Sequence, residues 1–246
     1  MLKNKLIVSN WKMNLDFIDT KSLLSKLIKI SKKKNQNVIN VVCPQNLLIP
    51  IANKLLKSSN IILGAQDCHE KESGAYTGNS SIVLLKKLNC KYIIIGHSER
   101  RLYNKEENKL IKKKVEIVNR HKLTPILCVG EELEIRKKSD YKNFIIDQLK
   151  KCIPKECEKI VVAYEPIWAI GSGLTPSIND IREIHEITVN LLLKKIKSVK
   201  FLYGGSVNSK NSKNIISESQ IDGLLIGGAS IKSEEITKIL CQINFD

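Results

Sequence analysis

Apolar residues fall into short, nearly continuous runs along this chain. Each run is followed by a polar loop and then by a stretch with apolar residues at helical spacing. Continuous runs rich in β-branched residues read as strands buried on both faces, and a 3.6-residue period reads as an amphipathic helix. Leu6–Asn10 is the first strand, and a helix over Asp16–Lys33 follows, with Phe17, Leu23, Leu24, Leu27 and Ile30 on its apolar face. Val38–Cys43 is the second, closed by Pro44, with its helix over Leu47–Lys57. Ile61–Ala65 is the third, followed by an unusually long polar loop, Asp67–Ser80, and a helix reaching Leu88. Tyr92–Gly96 is the fourth, with a helix over Lys105–His121, and Pro125–Val129 is the fifth, with one long helix through Ile153. Lys159–Tyr164 is the sixth, with a helix over Asn179–Lys197. Val199–Tyr203, a short helix after Asn208, Gly223–Ile226 and a closing helix over Glu234–Leu240 complete the series.

Eight strand–helix units with no break in composition predict a parallel sheet covered by helices, closed into one (β/α)8 barrel domain over residues 1–246. An open doubly wound sheet would need a glycine-rich turn after the first strand, and Ser9-Asn10-Trp11-Lys12-Met13-Asn14 has no glycine. No apolar run approaches the roughly 18 residues of a membrane span. The N-terminus runs straight into the first strand pattern, so no signal peptide is expected. The seven cysteines are scattered without CxxC spacing, which predicts reduced thiols in a cytosolic chain, no disulfide framework and no metal site. The formal net charge of +16 raises the question of a nucleic-acid or membrane partner. The lysine clusters Lys32-Lys33-Lys34, Lys112-Lys113-Lys114 and Lys194-Lys195 read instead as exposed helix ends, where cations suit the dipole. No aromatic RNA-binding motif, zinc-finger spacing or basic tail accompanies them, so neither nucleic acid nor membrane is expected as a partner. A positive field does attract an anionic substrate.

The chemistry collects at the carboxyl ends of the strands, the face on which barrels carry their sites. Asn10 and Lys12 end the first strand, His97-Ser98-Glu99-Arg100 follows the fourth, and Cys128 lies at the end of the fifth. The sixth ends in Glu165. Pro166 stops the ladder there, Ile167 and Trp168 add bulk, Gly171-Ser172-Gly173 forms a permissive tip and Pro176 closes the segment. Such a loop, stiff at its ends, reads as a lid that moves as one body beside a carboxylate base, although a strand-capping Glu and an ordinary loop would share that pattern. Gly204-Gly205-Ser206 and Gly227-Gly228 follow the seventh and eighth strands, where barrels often hold phosphate on backbone N–H groups. His97 precedes a helical start, whose positive end keeps an imidazole neutral. Lys12 could neutralise a phosphate or a developing oxyanion, with Glu99 orienting it.

Six segments together resemble the triosephosphate isomerases: Ser-Asn10-Trp-Lys12-Met-Asn14, Gly-Ala-Tyr-Thr77-Gly, Ile-Gly-His97-Ser-Glu-Arg-Arg, Ala-Tyr-Glu165-Pro-Ile-Trp-Ala-Ile-Gly, Tyr-Gly-Gly-Ser-Val and Asp-Gly-Leu-Leu-Ile-Gly-Gly-Ala-Ser. The resemblance spans essentially the whole chain. It implies cofactor-free interconversion of dihydroxyacetone phosphate and glyceraldehyde 3-phosphate, in glycolysis and gluconeogenesis. Glu165 matches the family's base, His97 its neutral electrophile, Lys12 its cationic electrophile and Asn10 a polar substrate contact. These roles are the family's own, since triosephosphate isomerase is the standard worked case of a carboxylate base with a neutral histidine. Gly171, Ser206, Gly227 and Gly228 match phosphate-gripping positions, and Glu99 and Cys128 stand one layer behind. The lid runs Pro166, Ile167, Trp168, Ala169, Ile170, Gly171, Ser172, Gly173, Leu174, Thr175, Pro176, with hinges at Pro166-Ile167-Trp168 and Leu174-Thr175-Pro176. The resemblance also implies a homodimer, in which the 67–80 loop inserts into the neighbour and Thr77 reaches the partner's Asn10 and the partner's Lys12.

Three stretches depart from the family's usual pattern. Asn79 stands where Glu is frequent, which would remove a charged contact across the dimer to Arg100. Glu107-Asn108-Lys109 replaces Ser-Asp-Glu, and Leu174 replaces a Lys at the second hinge. Other phosphate-binding barrels fit less well, because a Schiff-base aldolase needs a lysine pointing into the barrel from a strand, and the apolar strand runs are not expected to offer one. A basic nucleic-acid-binding barrel would have no use for a carboxylate base.

Overall fold

The computed structural model describes residues 5–32, 38–138, 140–169 and 174–244. Its strands are β1 (Lys5–Asn10), β2 (Val38–Cys43), β3 (Ile62–Ala65), β4 (Tyr92–Ile95), β5 (Thr124–Val129), β6 (Lys159–Tyr164), β7 (Ser198–Tyr203) and β8 (Gly223–Ile226). They pair in chain order, all parallel, and β8 closes onto β1 from Leu6↔Gly223 to Ser9↔Ile226. The helices are α1 (Phe17–Ser31), α2 (Ile49–Leu56), α3 (Ile82–Lys87), α4 (Ser98–Tyr103), α5 (Asn108–Arg120), α6 (Leu133–Lys137), α7 (Tyr141–Cys152), α8 (Ile178–Leu192), α9 (Ser212–Ser219) and α10 (Ser233–Asn244). The closed (β/α)8 barrel expected from the apolar runs is therefore the fold. No helix among the described residues is long and apolar enough to cross a membrane.

The strands alternate faces with period two. Leu6, Val8, Val41, Cys43, Ile94, Ile126, Cys128, Val161, Ala163 and Leu225 fill the barrel interior. Their neighbours Ile7, Val42, Ile93, Ile95, Leu127, Val162 and Leu224 face the helical layer and make the larger core. The inward parity of Leu6 and Val8 carries on to Asn10, and that of Val161 and Ala163 carries on to Glu165. Period two thus delivers both polar groups to the barrel mouth.

Several helices differ from the sequence pattern. In α1 the buried stripe is Thr20, Leu23, Leu24, Leu27 and Ser31, and Ile30 is half-buried. Phe17 is 56% exposed, since it directly follows the N-cap Asp16, one turn before the stripe reaches the sheet. Lys33 and Lys34 lie outside the described residues. The stretch over Lys105–His121 starts later, because Lys105 takes a left-handed φ of 56° that separates α4 from α5. The long helix to Ile153 is two helices, with Asp140 at the N-cap position of α7. The helix expected to reach Lys197 ends at Leu192. All seven cysteines are free.

Lys114 corrects the reading of its cluster as an exposed helix end. It lies inside α5 with its side chain 3% exposed. Its Nζ donates to Glu106 Oε1 at 2.6 Å and to both oxygens of Asp67 at 2.8 Å. Arg100 joins the same cluster, 2.6 Å from Glu106 Oε1 and 2.9 Å from Asp67 Oδ2. Burial pushes the Glu106 carboxyl up, but hydrogen bonds and charge from Lys114 and Arg100 outweigh it and hold it below its ordinary value. At Asp67 burial wins over Lys114, and the carboxyl is raised. The Glu106 contribution to stability is complete above the ordinary carboxylate range and is lost as pH falls through its depressed folded value.

Gly130, just past β5, packs where a Cβ would land on the main-chain carbonyl of Glu165. Backbone cannot step aside as a flexible side chain can. Gly130→Ala is expected to cost about 1–3 kcal/mol in overpacking and to displace Glu165. A thermal melt would show the first effect and an assay of the variant the second.

Candidate active site

The carboxyl ends of the strands surround a cavity of about 310 Å³ lined by Asn10, Lys12, His97, Glu165, Ser206, Gly227 and Gly228, among others. That volume is at the lower end of the range for small-molecule sites. Gly171, Ile170, Ser172 and Gly173 lie outside the described residues. Thr77 does not line the cavity. It is exposed near the tip of the third loop, whose residues 71–79 are all exposed.

Glu165 follows β6 and is only 2% exposed. Its Oε2 accepts the Ser98 N–H at 3.0 Å, and its Oε1 stands 3.1 Å from His97 Nε2. Gly204 faces it from the end of β7, where a Cβ would come within 3.0 Å of Glu165 Cγ, so the missing side chain leaves the carboxylate room to turn. Cys128 lies behind it. Burial, and then the neighbouring Glu165 charge, push this thiol well up, so it remains an S–H group in hydrogen-bond contact with Glu165.

His97 owes its place to Gly96, whose φ of 68° reverses the chain after β4; a Cβ there would meet Ile111. The imidazole caps α4, with Nδ1 accepting the Glu99 N–H at 3.3 Å. An accepting Nδ1 leaves the ring hydrogen on Nε2, the nitrogen that faces Glu165 and the cavity.

Lys12 holds a left-handed φ of 52°, a strained backbone for a residue with a side chain. Two contacts keep it there. Its N–H donates to Asn10 Oδ1 at 3.0 Å, and its carbonyl accepts from Gln66 Nε2 at 2.8 Å. Its Nζ donates to Glu99 Oε1 at 2.6 Å, the pairing anticipated from sequence. Gly227 lies against the stem, where a Cβ would come 3.2 Å from Lys12 Cε. Sequence reading overlooked Gln66; its position directly after β3 was the available signal.

The described part of the segment expected to be a lid begins with Pro166 and a single 3₁₀ turn, Ile167–Ala169. Ser206 Oγ donates to the Ala169 carbonyl at 2.8 Å, joining this hinge to the first glycine turn. Trp168 Nε1 donates to Glu131 Oε1 at 3.1 Å, and Tyr164 OH donates to the same oxygen at 2.9 Å. Glu131 is fully buried. Burial raises its carboxyl, with hydrogen bonds from Trp168 and Tyr164 pulling the other way. It too escaped the sequence reading, hidden in the polar run Gly130-Glu131-Glu132. At the other end, Ser177 and Asp180 form a reciprocal capping box that starts α8 directly after Pro176. No group of three or more His, Cys, Asp or Glu among the described residues is placed to hold a metal ion.

Arg100, expected to lack a partner across a dimer because of Asn79, is held by Asp67 and Glu106 of its own chain.

A closed barrel with its polar groups gathered at the strand ends belongs to the large class of (β/α)8-barrel enzymes. A family model described as triosephosphate isomerase matches residues 5–243, and the chain belongs to that family. It is 40% identical to the triosephosphate isomerase of Dictyoglomus turgidum over 249 residues, which covers 97% of this chain and 99% of the relative. It is 37% identical to that of Aquifex aeolicus over 243 residues, covering 96% and 98%. The crystal structure of triosephosphate isomerase from Bartonella henselae superposes with a TM-score of 0.87 at 31% identity, covering 98% of this chain and 99% of that one.

Proposed function

We propose that the cavity interconverts dihydroxyacetone phosphate and D-glyceraldehyde 3-phosphate through an enediol(ate), without a cofactor. The observation that carries this reading is the convergence of Glu165, His97, Lys12 and Asn10 with both glycine turns on one cavity of triose-phosphate size, in a chain of this family.

Glu165 takes a proton from one carbon of the substrate and returns it to the adjacent carbon. The electron pair released moves onto the carbonyl oxygen. His97 donates to that oxygen from Nε2–H, and the Lys12 ammonium faces the developing charge. A substrate oxygen taking the Nε2–H displaces its present partner, Glu165 Oε1, so binding itself frees the base to turn past Gly204. Backbone N–H groups of Ser206, Gly227, Gly228 and Gly171 grip the phosphate. The lid excludes water, which protects an enediol phosphate from eliminating its phosphate. A coupled assay of glyceraldehyde 3-phosphate conversion by the wild-type chain tests this; a folded, dimeric protein without turnover would overturn it.

The chain acts as a cytosolic homodimer joined by the 67–80 loop. Large apolar side chains on the first four units are left open in one chain, Met13 at 88% exposure with Leu47, Tyr76, Leu84 and Tyr103. Such a patch marks a protein interface. The loop holds its own shape, with the Tyr76 ring tilted against His69 at 4.1 Å between centroids and Glu72 bound 3.0 Å from His121. Seven unpaired thiols suit a reducing compartment. Thr77→Arg places a charge at the loop tip and is expected to yield a monomer with activity reduced at least tenfold. Sedimentation beside the assay checks this, and a fully active monomer would refute it.

A further inference from the structure

Lids that close as rigid bodies need both hinges to move in step. The two hinges here are far apart in sequence contacts, yet one side chain touches the anchor of each. Arg136 projects from α6, with its side chain 14% exposed. Its Nη2 pairs closely with Asp180, the capping-box residue that holds Ser177 directly after Pro176. Its Nη1 lies 3.6 Å from Glu131 Oε1, the same oxygen that accepts from Trp168 at the first hinge. The guanidinium plane lies 3.9 Å over the Tyr141 ring and 5.8 Å from the Trp168 ring centre. A guanidinium can serve two carboxylates and two ring faces at once because it is planar and forked; an ammonium cannot.

We propose that Arg136 is a positioning residue that couples the two lid hinges, transmitting a displacement at Ser177–Asp180 to Trp168 through Glu131. The inference rests on the reading of residues 166–176 as a lid over an isomerase site. Tyr141 acts as the backstop, since its hydroxyl is itself fixed by Glu183 Oε2 at 2.5 Å and cannot drift with the guanidinium. The charged and titratable groups facing Glu131 are Tyr164 from β6 and Arg136 from α6, with Asp180 of α8 beyond the guanidinium.

The test uses the intrinsic emission of Trp168. The chain has two tryptophans, and the other, Trp11, is fully buried in the outer core and gives a constant background. Asp180→Asn keeps an oxygen for the Ser177 cap and removes the charge that holds Arg136. Arg136→Gln removes the bridge itself, and Arg136→Lys keeps the charge without the fork. The first expected result concerns the free protein. Removing the cation beside buried Glu131 raises its carboxyl further, so the pH midpoint of Trp168 emission moves upward in Arg136→Gln; Asp180→Asn removes the competing anion and leaves the guanidinium to Glu131, so it moves the midpoint downward. The double variant shows no more than Arg136→Gln alone, as coupled sites do in a double-mutant cycle. The second expected result is a fall in kcat of about tenfold for Arg136→Gln with KM within about twofold, and incomplete recovery in Arg136→Lys. Additive emission shifts, or an Asp180→Asn protein whose Trp168 emission matches wild type at every pH, would overturn the coupling. The emission titration needs no turnover. An inactive wild type with the expected emission cycle would remove the isomerase reading and keep the link between hinges as structure alone.

Discussion

Glu165→Gln lowers kcat by about a thousandfold or more, the scale of a lost general base, while the melting curve stays close to wild type. Gln is nearly isosteric with Glu, and its amide oxygen still accepts from Ser98 N–H, the bond that holds the side chain now. Cys128 behind and Gly204 in front need no rearrangement; the amide NH2 that replaces Oε1 faces His97 Nε2–H, so the imidazole turns away from it. What disappears is the capacity to carry a proton between two carbons. KM is expected within a few-fold of wild type, because the proposed phosphate grip lies in the glycine turns and not at this residue. Steady-state kinetics in both directions with a circular-dichroism melt checks each part. A Gln variant keeping more than a tenth of the wild-type rate would show that another group abstracts the proton.

Lys114→Met is the largest expected effect on stability. It leaves buried Glu106 beside the half-buried Asp67 carboxylate with only the partly exposed Arg100 between them. Breaking a buried pair by removing one partner typically costs about 3–5 kcal/mol, a fall of roughly 10 °C in melting temperature for a chain of this size. The sign of the pH dependence follows from the charges. With Lys114 gone, the Glu106 carboxyl rises in the folded state, and a raised carboxyl gives stability that is present at low pH and lost as pH rises through the folded value. The gap between wild type and variant is therefore widest near pH 8 and narrows toward pH 5. Melting curves across that range would show it, and a gap independent of pH would mean that packing, not charge, carries the loss.

The two variants separate what the chain displays from what it conceals. Glu165 was legible because it stands at the end of an apolar run and before a proline, two local signals that survive in one dimension. Lys114 was not, since a lysine in a lysine-rich helix looks solvated until Asp67, brought back by the third loop, and Glu106 close over it. Phe17 misled for a related reason: an apolar residue in phase with a stripe is still outside it when the helix has not yet reached the sheet. Arg136 and Glu131 carry no signal beyond being charged residues in a charged run. Their meaning comes from Asp180, more than forty positions along, and from Trp168.

By itself the sequence determined the order and number of the strands, the closure into a barrel, and the gathering of Asn10, Lys12, His97 and Glu165 at one end of it. All of these rest on local periodicity and on backbone chemistry at strand ends, which are properties of adjacent residues. Only the tertiary structure decided which charges are buried in pairs, how Gln66 holds the strained Lys12 backbone, and that Arg136 lies between Glu131 and Asp180. Those depend on contacts between distant segments, and burial turns an ordinary charge into a strong interaction only where such segments exclude water.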